Sequence, residues 1–361
     1  MKLFSLLVPV VICLTPAVSE AQNISLFPVK IGGKYGFMNK AGKVTIRAQF
    51  DFAGNFSDGM AVVMIGRKYG YINTRGVYVI NPGFDYAWPF NNGTAKILVG
   101  KKYGYINKAG KKTALPQFDS ASNFFRDNLA LVKIGGPFGK WGYINKSGKY
   151  VINPQFSSAK HFSENFAAAK KGEKWGYIGK NGNWMIKPDF EEAQSFSEGM
   201  AAVKFQGKWA FIDNKGKLKI NPAWDDAKSF SNGMAAIKIK GKWGYIDKRG
   251  KYVINPQFDD ISNSFSEGFA LVKIGKKWGY INSRGFLKVK AIYTDASSFS
   301  SGLAAVKYRG KWGYIDKTGN WMINPVFDDA ESFSGGRAKV ESGTFWGYID
   351  TSGNFIWKPG N

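Results

Sequence analysis

The chain is short of the residues on which most catalytic and metal chemistry depends. It has one cysteine, Cys13, and one histidine, His161, in 361 residues. The cysteine lies in an apolar N-terminal stretch that we expect to be removed, so the mature protein should carry no disulfide and no thiol chemistry. A lipidated Cys13 is disfavoured because bulky Ile12 precedes it where a lipoprotein signal needs a small residue. A single histidine cannot build a zinc site without cysteines, and no Ser-His-Asp set or phosphate-cradling glycine loop is apparent. A glycosidase needs only carboxylates, but a working pair should break the internal pattern described below, and none clearly does. We therefore expect no enzyme activity, no cofactor and no metal. Acidic residues are also scarce: 26 Asp and Glu stand against 51 Lys and Arg, a formal charge of +25.

Long apolar runs are missing after the first twenty residues. Lys2 followed by the nearly unbroken apolar stretch Leu3–Val18, then Ser19-Glu20-Ala21, has the form of a secretory signal peptide cleaved after Ala21. With Pro9 and Pro16 inside it, the stretch is short for a spanning helix of about 20 residues. Residues 1–21 are thus expected to be a signal and residues 22–361 the mature protein, exported to the periplasm, cell surface or exterior without an integral span. Oligomeric state is left open. So basic an exported protein should be drawn to acidic surfaces such as glycans, lipid headgroups or acidic proteins.

What the chain has in abundance is repetition. An aromatic followed by a small residue recurs at Tyr35, Tyr69, Tyr103, Trp141, Trp175, Trp209, Trp243, Trp278, Trp312 and Trp346, in steps of 34, 34, 38, 34, 34, 34, 35, 34 and 34 residues. A period in this range marks a stacked array. In the copy at 235–268, Ala235–Lys240, Lys242–Asp247 and Lys251–Asn255 read as three strands. They are joined by a Gly241 turn and by an Asp247-to-Gly250 turn of type I closed at positive φ, and Pro256 stops the third. The connector to the next copy, Gln-Phe-Asp-Asp then Phe-Ser-Glu-Gly, is read as a loop. Its last residue is Gly in seven copies and Asn at Asn128 and Asn165, which argues for positive φ there. The glycine after the key aromatic is replaced once, by Ala210, so a small side chain is wanted there for close packing. The extra residues fall in turns, at Gly135-Gly136-Pro137-Phe138 and near Ser262-Asn263-Ser264. The expected fold is all-β: ten three-stranded antiparallel meanders in an elongated, superhelical or solenoid-like stack. A closed β-propeller is the alternative, disfavoured because 34 residues are few for a blade and no split unit at the termini locks a ring.

The string Lys-Trp-Gly-Tyr-Ile-Asp-Lys-x-Gly-Lys, the Ile-x-Pro-x-Phe-Asp-Asp segment and the Phe-Ser-Glu-Gly turn, nearly complete over 242–268, resemble the bacterial WG repeat, also called the KWG repeat. The likeness covers about residues 24–361. The first three copies depart by using Tyr for Trp, and the sixth by Ala210. The resemblance implies a β-rich tandem array of a kind found in exported and surface proteins among others. It implies no particular activity.

Two features are candidates for binding. The ten aromatics listed above could grip sugar rings or bases, but a fixed station in a thin meander is more simply core. Lysines precede the aromatics at Lys34, Lys68, Lys102, Lys140, Lys174, Lys208, Lys242, Lys277 and Lys311. Stacking should align them as a basic ridge, of which Lys140, Lys174, Lys208, Lys242, Lys277 and Lys311 are the candidate contacts for an acidic polymer. The ridge could equally serve as a solvated edge that prevents strand addition. The acidic pairs Asp225-Asp226, Asp259-Asp260 and Asp328-Asp329 read as turn or helix caps rather than calcium ligands. The expected function is an exported, non-enzymatic scaffold that binds a protein or an acidic polymer such as a glycan or envelope polyanion. The alternative is a lectin-like protein that holds carbohydrate through exposed aromatics.

Overall fold

The computed structural model describes residues 25–123, 125–262 and 265–358. The expected signal segment lies outside them. Among the described residues thirty-nine strands form ten antiparallel sheets, nine of four strands and the first of three, and the sheets are arranged as a ten-bladed β-propeller. No α-helix occurs among the described residues, and the one 3₁₀ turn is Gly136–Phe138, in the widened hairpin that sequence had marked as an insertion.

Three expectations are corrected, the smallest being that Pro256 ends the third strand, which runs through it to Phe258. The unit has four strands, not three. In the blade spanning 226–258, the two-residue strand Asp226–Ala227 pairs with Met234–Ile239, which pairs with Lys242–Asp247, which pairs with Tyr252–Phe258. The supposed loop therefore supplies an edge strand. Its hairpin character comes from the Ser-x-Gly turn, where two successive residues take positive φ, as in Glu198 (54°) and Gly199 (82°). This is the backbone of a type I′ hairpin, whose twist matches that of the flanking strands.

The array is also a ring, not an open stack. Each interface between consecutive blades holds one apolar cluster, such as Met200, Trp209, Phe211 and Trp224 against Ala227, Phe230 and Ile237. A tenth cluster joins the two ends: Val29 and Met38 of the first blade pack with Trp357, flanked by Phe27, Trp346 and Tyr348. The Arg337 guanidinium lies 4.4 Å from the Phe27 ring and donates to the Lys40 carbonyl. The hairpin glycine of each blade abuts the third long strand of the blade before it. Gly216 sits against Ile186, Gly250 against Ile220, and at the seam Gly42 sits against Ile356. No split blade is needed, because side-chain packing closes the ring.

The other glycine station has a local cause. A Cβ on Gly244 would fall 2.6 Å from the Pro256 nitrogen, because the third long strand bulges toward it between Phe258 and Ile254. Ala210 shows that the bulge can yield by one methyl; its backbone is fully buried and its φ is not positive.

Candidate functional site

The key aromatics occupy the second long strand, one per blade. Trp209 and Trp243 are buried, and Tyr35, Tyr69, Tyr103, Trp141, Trp175, Trp278, Trp312 and Trp346 are half-buried. Each meets a residue of the first long strand across the ladder, commonly a lysine: Lys238 is paired with Trp243, Lys273 with Trp278 and Lys307 with Trp312. Those ammonium groups lie 5.6, 5.3 and 5.9 Å from the indole centroids, within cation–π range. These three tryptophans thus pack against the core while a lysine ammonium lies over the ring.

The ridge lysines divide into two sets. Lys208, Lys242 and Lys311 each bind the aspartate seventeen residues on, Asp225, Asp259 and Asp328, as do Lys34, Lys68 and Lys102 with Asp51, Asp85 and Asp119. The second carboxylate oxygen accepts a backbone N–H of the adjoining hairpin, as in Gly275 to Asp259 at 2.7 Å and Lys240 to Asp225 at 2.8 Å. These lysines and N–H groups hold the six carboxyls below the usual aspartate range, the lysine hydrogen bond being the larger cause. In the other copies position i+17 is Ser157, Glu191 or Thr294. No carboxylate among the described residues forms an ion pair with Lys140, Lys174 or Lys277. The first residue of each acidic pair is therefore a clamp between blades, holding a lysine of one and a hairpin N–H of the next. The second caps the next N–H, as Asp226 does for Ala227 at 2.8 Å. A lysine–aspartate spacing of seventeen recurs through the sequence and would have revealed the clamp.

Two blades carry an aromatic at the second position of the pair. Where later copies place Asp226, Asp260, Asp295 or Asp329 on the short edge strand, the second and third carry Phe52 and Tyr86, 38% and 40% exposed. With Trp88 they form a continuous run of rings, Tyr35–Phe52–Tyr69–Tyr86–Trp88–Tyr103, with successive centroids 6.2, 6.1, 4.8, 4.5 and 5.7 Å apart. Lys96 lies at its end, 3.8 Å from the Trp88 ring and 4.8 Å from that of Tyr103, and donates to the Ala121 carbonyl at 3.1 Å. It is only 6% exposed, and burial pushes its ammonium pKa down to about 8. Sequence reasoning passed over Lys96, although a lysine where the type copy has Ala236 was the signal.

His161 is half-buried in a connector, and burial first, then the Arg126 charge, hold its imidazole below the usual value. Among the described residues no three His, Cys, Asp or Glu side chains converge as metal ligands, and no helix is long and apolar enough to cross a membrane.

The family model for the WG containing repeat matches nine consecutive segments from residue 35 to residue 343, and the chain belongs to that family. No curated protein matches it. Among solved structures, it is similar to one described as the crystal structure of the eukaryotic initiation factor. The two are 12% identical, the likeness covers 94% of this chain and all of that one, and the TM-score is 0.56. It is also matched by Hsv2 of Kluyveromyces lactis, at 12% identity over 62% of this chain and 89% of that one, with a TM-score of 0.37. At such identities the first likeness speaks to the fold alone, and the second carries no argument.

Proposed function

We propose that the protein is an exported, non-enzymatic propeller scaffold that holds an acidic polymer on its basic surface. The observation that carries this reading is the imbalance of charge combined with where the acids are spent. Basic residues exceed acidic ones by 25, and many of the aspartates are committed to clamps between consecutive blades. Lys140, Lys174 and Lys277 have no such clamp, and the closed ring carries them on separate blades, so a long polyanion suits them better than a small anion. Exposed charges act over about 8 Å at physiological ionic strength, so binding should weaken steeply with salt. The test is titration with a heparin-like glycan at low and moderate salt. Changing Lys140, Lys174 and Lys277 together to Gln should flatten the salt dependence more than the same change at Lys208, Lys242 and Lys311. Equal effects from the two triple variants would defeat the reading, and so would salt-insensitive binding.

The aromatic run over the first three blades favours a second reading, carbohydrate recognition by ring stacking. Exposed Phe52 and Tyr86 would offer flat faces to successive sugar units. Salt-insensitive binding of a neutral glycan, abolished by Tyr86→Ala, would select it over the first.

A further inference from the structure

The loops that join the first and second long strands stand at one face of the ring, where the clamps link each to its neighbour. Lys68 of the second blade holds Asp85, which accepts the Gly100 N–H of the third blade's loop at 2.6 Å. Lys102 of the third holds Asp119, which accepts the Gly136 N–H of the fourth blade's loop at 2.7 Å. Among these ten loops the only acidic residue is Glu173, paired with Lys170 at 3.0 Å. At the opposite ends of the strands, by contrast, the turns carry Asp58, Glu164, Glu198 and Glu267. The loop cations Arg67, Lys101, Lys240, Lys276 and Arg309 are exposed. None of them forms an ion pair among the described residues.

Over the second to fourth blades this basic face also exposes apolar side chains. Ile65 and Val99 end the strands that enter the loops, and both are exposed. In the fourth blade the loop is widened from two residues to five, at 135–139. Its Phe138 is 94% exposed, more than any other large apolar side chain among the described residues. The loop is braced from below. Asp119 holds the Gly136 N–H, and the Lys133 ammonium donates to the Pro137 carbonyl at 2.9 Å. Its backbone turns through Gly135 and Gly136, at φ 103° and 69°, into the 3₁₀ turn Gly136–Phe138. A ring held out on such a tip contributes almost no packing to its own chain. Apolar tips thus recur on three consecutive blades, and exposed apolar clusters mark interaction surfaces.

We propose that this face docks on an anionic lipid bilayer, with Phe138, Ile65 and Val99 entering the interface and Arg67 and Lys101 pairing with headgroup phosphates. The combination of side chains decides between partners. A soluble polyanion rewards the cations and leaves the apolar tips in water. A lipid surface rewards both, because interfacial binding scales with buried apolar area plus attraction to anionic headgroups. The side chains also project from separate loop tips and line no groove, which suits a broad surface. Lipid docking goes beyond the polyanion reading and does not rest on it, since Phe138, Ile65 and Val99 are idle toward an acidic glycan.

The test is cosedimentation of the purified protein with two kinds of vesicle at physiological salt: phosphatidylcholine alone, and phosphatidylcholine mixed equally with phosphatidylglycerol. Binding to the mixed vesicles only is expected. Phe138→Ala should weaken it about tenfold, the effect of leaving one aromatic ring in water. Ile65→Ser combined with Val99→Ser should weaken it by a similar factor, and Arg67→Gln combined with Lys101→Gln by about tenfold or more. Leu115→Ala, at an exposed leucine within the third blade's last strand, should leave binding unchanged. Phe138→Ala should also leave the affinity for a heparin-like glycan unchanged, so failure with vesicles and failure of the polyanion reading are told apart. Three results overturn the proposal: no binding to the mixed vesicles, equal binding to both kinds, or binding indifferent to Phe138→Ala and to the Ile65–Val99 double variant.

Discussion

Ring closure can be tested with one methyl group. Gly42 and Gly199 both hold left-handed backbone, with φ of 81° and 82°. Alanine at either position takes on the left-handed penalty, about 1–2 kcal/mol. The two differ in their surroundings. Nothing lies within 4 Å of a Cβ built on Gly199, whereas one on Gly42 would fall closer than 3.0 Å to the Ile356 carbonyl oxygen, with the Ile356 Cγ2 at 3.3 Å. The obstruction is backbone of the last blade, which cannot swing aside as a side chain could, so overpacking adds about 1–3 kcal/mol. Gly199→Ala should therefore cost about 1–2 kcal/mol and Gly42→Ala about 2–5 kcal/mol. Gly148→Ala, which meets backbone of the preceding blade at 3.0 Å within the ring, should match Gly42→Ala. Guanidinium unfolding followed by tryptophan fluorescence supplies the difference from the shift of midpoint at unchanged slope. In an open stack the first hairpin would have no neighbour. Equal losses for Gly42→Ala and Gly199→Ala, with Gly148→Ala alone more severe, would refute the closed ring.

Three other outcomes follow from the same geometry. Burial sets the folded pKa of Lys96 near 8, against about 10.4 unfolded. Between those values the unfolded chain binds more protons, so stability should rise with pH, by about 1.4 kcal/mol per pH unit. The rise of wild type relative to Lys96→Met, measured from pH 8 to pH 10, checks this, and parallel curves would contradict it. Trp243→Ala empties a site 5% exposed in the wall between two blades and should cost about 3–5 kcal/mol; a fully stable variant with altered glycan binding would instead assign the ring to a ligand. Gly268 has φ 87°, so Val there should destabilise while Asn, present at the same station as Asn128 (63°) and Asn165 (68°), should be mild; equal melting temperatures would disprove the turn geometry.

The sequence by itself determined the repeat, its family and most of its local chemistry. Comparing ten copies assigned positive φ to the Ser-x-Gly station through Asn128 and Asn165. The single Ala210 identified a close approach instead of a turn. Insertions marked the hairpin at Gly136 as outside the ladder. Each of these is a local property, repeated often enough to be read from substitutions. The fourth strand escaped because Asp226–Ala227 is two residues long, too short for any alternation to register, although the consecutive turn residues Glu198 and Gly199 were a hairpin signal. The Lys–Asp clamps escaped because a ridge was read along lysines alone, and their partners stand just before the next blade's edge strand. Whether the array is open or closed was beyond the reach of sequence. Closure depends on a small rotation between neighbouring blades accumulated ten times, and no residue encodes that sum. Only the tertiary structure brings Gly42 to Ile356 and Val29 to Trp357.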